Sequence, residues 1–335
     1  MSQQVQLRPH RPLIRRRHLI PVDKESVNRK IIEFIELSAP DNTKRAYLSD
    51  WEDFVAWCTV NQVQSLPATP GTVQGYISYL AELDDEHRYK TSTIARRLAS
   101  ISIAHQAKKY PTPTQSFEVR SVWKGIRRKY GIMQVGKEPL LANHIYRLLS
   151  HIDTRTLRGL RDRAVILVGY AGAFRRSELV SLDLPDIDFR EDGMVITLRR
   201  SKTDQEGAGR YVGIRRGQSR DTCPVAALEE WLEHAWIMDG PVFRKVSKAD
   251  NVEPRGITGQ AVSLIVKRCA KAAGLDPDKF GAHSLRSGFA TQAAMNGSNE
   301  LEIMEQTGHK SLNTVRRYIK KGNIFSNNAS GNIGL

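Results

Sequence analysis

Apolar residues recur every three or four positions through most of the chain, the mark of amphipathic helices that bury one face. The first five such stretches lie between Val22 and Tyr130. They are KESVNRKIIEFIELSA, DNTKRAYLSDWEDFVAWCTVN, LPATPGTVQGYISYLAEL, KTSTIARRLASISIAHQAKKY and FEVRSVWKGIRRKYG. In the second, Tyr47, Trp51, Phe54, Val55 and Cys58 keep helical spacing behind a capping Asp or Asn. No strand pattern interrupts them, so residues 22–131 are expected to form a compact all-helical domain. IMQVGKEPLL then loses the period and carries Gly and Pro, which predicts a linker over 132–141 with the boundary near Gly136.

Helical spacing returns in ANHIYRLLSHI and RGLRDRAVILVGYAGAFRRSELVSL. Within DIDFREDGMVITLRRSKTDQEGAGRYVGI the period falls to two, and MVITL and RYVGI flank a polar turn containing glycine, as two paired strands do. Five further helical stretches follow, ending in SLNTVRRYIKK. The expected class is mainly α: a helical domain over 22–131, then a mostly helical domain with a small antiparallel β-sheet over 142–321. There is no internal repeat.

Composition narrows the setting. A chain of 335 residues has room for two cores. No apolar run approaches the roughly 20 residues that span a bilayer, and the first residues lack the apolar core of a signal peptide, so a cytoplasmic, membrane-free protein is expected. Cys58, Cys223 and Cys269 are far apart with no CxxC or nearby histidine pattern, which argues against a zinc site or a disulfide framework. No metal or other cofactor is expected.

Charge changes the picture most. The net charge is +15, and it is +8 through residue 135 and +7 beyond, so both halves could grip one polyanion. Residues 1–21 hold Arg8, Arg11 and Arg15 to Arg17 with two prolines and no period, which predicts a flexible basic arm. In the helical domain Lys44, Arg45, Lys90, Arg96, Arg97, Lys124, Arg127, Arg128 and Lys129 are candidate DNA contacts, since a helix in the major groove can read bases while flanking cations hold phosphates. Solvated helix faces would show the same residues.

Four stretches of the second domain place polar groups where a plain core has no need of them. In FRRSEL, Arg175 and Glu178 stand three apart, as on one helix face, and a structural ion pair would explain them alone. Lys202 lies at the turn between the two strands. In GAHSLRSGF, His283 and Arg286 share the direction of a helix start, where free amides add positive potential. In TGHKSLNTVRRYIKK, Gly308 ends one helix, His309 follows it, and Tyr318 falls two turns into the next. Together these groups suit phosphoryl transfer. Two guanidiniums and a histidine stabilise a five-coordinate phosphorus, and a phenol attacks it. A lysine protonates the departing oxygen and a second histidine handles the phenol proton.

The six residues in this order, with FRRSEL, SKT, HSLR and TGHKSLNTVRRY as their settings, resemble the tyrosine recombinase (phage integrase) family, and the two-domain plan is similar to its Cre and Xer-type branches. The resemblance covers roughly residues 25–335, carried in the first domain only by helical plan and by NTKRAY and KTSTIARRL. Cre has tryptophan at the place of His309, so this site is closer to the general family. The resemblance implies the tyrosine recombinase catalytic fold. It implies that Arg175, Arg286 and His309 hold the scissile phosphate, Lys202 is the general acid, His283 assists as acid or base, and Glu178 orients the arginine site. Tyr318 would form a 3′-phosphotyrosyl bond, freeing a 5′-hydroxyl, with no metal and no ATP. Partners implied are double-stranded DNA bearing a specific site and three further copies of the chain, exchanging strands through a Holliday junction near the nucleoid of a bacterium or on its mobile element. The tail over 322–335, with Phe325, Ile333 and Leu335, would dock into a neighbouring subunit. A type IB topoisomerase-like nicking enzyme and a non-catalytic DNA-binding factor are the alternative readings.

Overall fold

The computed structural model describes residues 41–83, 88–132, 136–199 and 209–322. The expected arm over 1–21, the first expected helix, Lys202 and the tail beyond Gly322 lie outside the described residues. The chain divides into two units on either side of residues 133 and 134.

In the first unit, helices form where the apolar stripes predict them. These are α1 (Asp41–Val60), α2 (Pro70–Glu82), α3 (Thr91–Ala107) and α4 (Phe117–Tyr130), with a 3-10 turn at Pro113–Gln115. Thr69 caps α2 by accepting from the Thr72 amide with Pro70 behind it, and Ser116 caps α4 by accepting from the Val119 amide. The buried faces meet in one core built on Phe54, Cys58, Val73, Tyr76, Ile77, Ile94, Ile101 and Val119. Burying each such large side chain contributes about 1.5–3 kcal/mol.

The second unit begins earlier than the expected linker allows. Glu138 and Leu140 donate backbone hydrogen bonds to the carbonyls of Lys279 and Ser284, and Leu140 is fully buried. The linker therefore shortens at its C-terminal end, because Leu140 is core. There follow α5 (Ala142–Leu149) and α6 (Leu157–Ala171), the latter buried along most of its length. The expected continuous helix over 158–182 is broken: Ala173 takes a left-handed conformation (φ 49°), and α7 (Arg176–Val180) starts afresh. Arg175 is thus the residue before α7, not a member of one helix face shared with Glu178. The pairing survives because Glu178 reaches back to it.

A 3-10 turn at Leu184–Asp186 leads into β1 (Ile187–Arg190), β2 (Gly193–Leu198) and β3 (Arg210–Arg215), an antiparallel sheet in that order with Ile196 opposite Ile187 and Val212. Strands β2 and β3 are the expected pair, and β1 extends it. Next come α8 (Pro224–His234), the two-stranded β4 (Arg244–Val246) and β5 (Val252–Gly256), and α9 (Gly259–Ala272). The unit closes with α10 (Ala282–Met295), α11 (Glu300–Thr307) and α12 (Leu312–Gly322). Asn299 and Glu302 form a reciprocal capping box on α11. The last three helices share a small apolar cluster of Ala290, Ala294, Ile303 and Val315, with Tyr318 and Ile319 packed on it. That packing brings Tyr318 to the start of α10.

Candidate active site

Five chain segments converge at one end of the second unit: the α6–α7 turn, the start of β3, the first turns of α10, the residues after α11, and α12. Tyr318, half-buried in α12, lies with its Oη 3.2 Å from Nε2 of His283. The ring of His309 stands 5.9 Å from that of Tyr318, tilted by 31°. Both imidazoles therefore reach the phenol, but only His283 is hydrogen-bonded to it.

Arg286 is 1% exposed. Its Nη1 donates to the carbonyl of Ala173 at 2.7 Å, while Nη2 is buried with no protein partner. A buried guanidinium nitrogen with no acceptor carries a large desolvation cost, so such groups normally find one. Arg175 is held by Glu178, whose Oε1 accepts from Nη1 at 2.5 Å while Oε2 accepts from the Arg175 amide at 2.9 Å. The other arm of Arg175 donates to the carbonyl of Gly308 at 3.3 Å.

A third arginine, absent from the sequence expectations, completes the cluster. Arg210 donates from Nη1 to the carbonyls of Gln306 and Glu305 at the end of α11 (3.1 and 3.3 Å), and its Nη2 lies 3.8 Å from Glu178. Its Nε and Nη2 make no hydrogen bond. It favours the C-terminal end of α11, where carbonyls are unsatisfied. One buried carboxylate, Glu178, thus faces Arg175 and Arg210, with Arg286 within Coulombic reach of both. The cluster carries surplus positive charge, three guanidiniums to one carboxylate, the arrangement that recruits an anion.

The surplus shows in the titrating groups. Burial, then Arg175, holds the Arg286 guanidinium down at about 10, still charged at neutral pH. Burial, then Arg286 and Arg175, pushes His309 down to about 3. His283 keeps an edge open to solvent, yet partial desolvation and the same two arginines hold it below the usual imidazole range. Both histidines are neutral at pH 7, so His283 can accept a proton from the phenol.

Residues 138–323 match the phage integrase family. The chain belongs to that family. A xerD homolog described as an integrase/recombinase, from Selenomonas ruminantium, is 42% identical over 92% of this chain and 89% of its own length. The tyrosine recombinase XerD of Listeria monocytogenes is 28% identical over 85% and 89%. Among solved structures, the Tn1549 transposon integrase in complex with transposon right-end DNA has a similar fold (TM-score 0.59, 16% identity, 88% of this chain and 93% of that one). The phage integrase-type chain is therefore an enzyme, a tyrosine recombinase that carries out site-specific DNA strand transfer.

Of the residues expected at the recombinase centre, Arg175, Glu178, His283, Arg286, His309 and Tyr318 come together, and Lys202 lies outside the described residues. Among the described residues, no group of three or more His, Cys, Asp or Glu is placed to hold a metal ion. The cations of the first unit divide. Arg45, Lys90, Lys124, Arg127, Arg128 and Lys129 are exposed and Lys44 is half-buried. Arg96 is exposed, but Asp50 holds it in a bidentate pair at 2.6 and 3.0 Å. Arg97 corrects the expectation of a DNA-facing side chain. It is 6% exposed, bound to Asp53 and stacked 4.1 Å over Tyr89, because it sits on the inner face of α3. Asp50 and Asp53, three apart on α1 beside its apolar stripe, were the sequence signal for that buried pair.

Proposed function

We propose that Tyr318 attacks a DNA phosphodiester held by Arg175, Arg286 and His309. The carrying observation is the hydrogen bond from the Tyr318 phenol to His283 beside a buried Arg286 nitrogen with no protein partner. As the phenolic oxygen bonds phosphorus, its proton passes to Nε2 of neutral His283 and the P–O5′ bond breaks. Lys202 donates the proton that leaves a 5′-hydroxyl. The product is a 3′-phosphotyrosyl ester, so bond energy is conserved. A 5′-hydroxyl from a second duplex reverses the steps without ATP. The unpartnered Nη2 of Arg286 and the Arg175 guanidinium are donors for the extra charge of the five-coordinate phosphorus.

On this reading the first unit grips the duplex through Lys44, Arg45, Lys90 and the exposed face of α4. The enzyme works as four copies on two DNA sites, through a Holliday junction, in the cell compartment that holds DNA. The tail over 322–335 docks on a neighbouring copy. A cavity of about 540 Å³ in the second unit, lined by Ile145, Tyr146, Leu167, Tyr170 and Phe289, is large and apolar enough to take side chains such as Phe325 or Leu335.

The test is a DNA duplex carrying the recognition site and a nick just beyond the cleavage position, so that the freed end diffuses away and the adduct accumulates. The wild-type chain should form a covalent adduct and Tyr318→Phe none, with equal DNA binding. An adduct of normal yield in Tyr318→Phe would refute the assignment.

A further inference from the structure

Immediately before the Gly308–His309 pair, Thr307 is fully buried, and neither composition nor spacing gave it a role. We propose that Thr307 is a positioning residue that fixes the tautomer of His309 and reserves its Nε2 for the DNA phosphate. The proposal rests on the reading that His309 contacts that phosphate.

Oγ1 of Thr307 lies 2.6 Å from the carbonyl of Ile303, 3.4 Å from that of Met304 and 2.7 Å from Nδ1 of His309. A carbonyl only accepts and a hydroxyl has one proton, so that proton goes to Ile303, the common back-bond of a helical threonine. Oγ1 must then accept from His309, which places the imidazole proton on Nδ1. The bare nitrogen of the neutral ring is Nε2.

Among the described residues, the hydrogen-bond partner of His309 Nδ1 is this hydroxyl. The groups that act on His309 through space are Arg286, Arg175, His283 and Arg210, with the Tyr318 ring beside it. Guanidiniums donate and cannot accept from an imidazole N–H. A proton on Nε2 would also face cations before DNA arrives. Gly308 makes the meeting possible, because its left-handed conformation (φ 63°) turns the chain between positions 307 and 309. When a phosphate enters and offsets the surplus charge, Nε2 can take up a proton and donate it to a non-bridging oxygen, while Nδ1–H stays on Thr307. The geometry of a second partner fixing which ring nitrogen works recurs wherever histidine is used for proton or ligand chemistry.

The experiment uses the full chain labelled with 15N-histidine. Long-range 1H–15N correlation spectra without DNA report each ring's tautomer, and His309→Gln assigns the signal among the nine histidines. The wild type should show His309 as the Nδ1–H form, Thr307→Val a mixture or the Nε2–H form, and Thr307→Ser the wild-type pattern. On the nicked site, single-turnover cleavage should fall about fivefold to tenfold in Thr307→Val, the scale of one lost neutral hydrogen bond. It should recover in Thr307→Ser with DNA binding unchanged. An Nε2–H signal in the wild type overturns the tautomer assignment even if Thr307→Val does not fold. A fully retained Nδ1–H form in Thr307→Val overturns the role of Thr307. The reading beneath it fails separately: His309→Gln cleaving at the wild-type rate removes the phosphate contact, whatever the spectra show.

Discussion

At the scale of single residues, the site is an exercise in leaving charge unbalanced. Among the described residues, Glu178, 1% exposed, is the one carboxylate shared by Arg175 and Arg210. Removing one member of a buried pair strands the other, so Glu178→Ala should lower stability by about 3 kcal/mol in urea unfolding and reduce cleavage. A loss below about 1 kcal/mol would mean that water replaces the carboxylate. Protonation obeys the same surplus. His309 is pushed from 6.5 to about 3, so between those values the unfolded chain binds a proton that the folded chain does not. Its share of stability is present above pH 6.5 and drains away as pH falls towards 3. DNA phosphate should raise both histidines, so binding near pH 6 should take up protons. Calorimetry in buffers of different ionisation enthalpy would detect this, with the uptake reduced in His309→Gln and some retained through His283. Arg175, Glu178, His283, Arg286, His309 and Tyr318, which the fold brings together, were legible because their types, order and motif settings resemble one family. Arg210 and Thr307 were not: each matters only through a fold contact, Arg210 with Glu178 across 32 positions and Thr307 with the histidine two residues on.

At the scale of elements, helices were legible from apolar spacing, whereas turns that depend on one backbone conformation were not. The stretch RGLRDRAVILVGYAGAFRRSELVSL reads as one helix, and only the left-handed Ala173 shows where it breaks. Strand β1 escaped notice because it is only four residues long, IDFR, too short a run of alternation to stand out beside MVITL and RYVGI. The helix that carries His283 and Arg286 depends on a close approach that apolar spacing does not reveal. A Cβ on Gly288 would lie 2.0 Å from the carbonyl oxygen of Leu140, so the small residue there admits a backbone segment of the same unit. Gly288→Ala should therefore cost about 3 kcal/mol, because backbone cannot step aside as a side chain tip can. Gly308 is a second such position. There a Cβ would meet Nε of Arg210 at 2.7 Å in a left-handed conformation, so Gly308→Ala should move Arg210 and slow cleavage more than it lowers Tm. Equal loss of both would mark the glycine as structural only.

At the scale of the whole molecule, a net charge of +15 favours DNA everywhere and says nothing about which cations touch it. Burial separates them. Lys124, Arg127, Arg128 and Lys129 lie exposed along α4, whose buried residues, Val119 and Ile126, are few. Arg97 is buried against Asp53 and has no freedom to leave. The two classes should part in one measurement. Each cation that neutralises a phosphate adds about 0.9 to the slope of log affinity against log salt. Arg127→Ala or Arg128→Ala should thus flatten that slope by about one while leaving Tm within a degree or two. Arg97→Ala should do the reverse, lowering Tm through the stranded carboxylate and leaving the slope unchanged. If Arg97→Ala flattened the slope as much as the α4 variants did, burial would not be the sorting rule, and the grip on DNA would need a first unit that opens on binding.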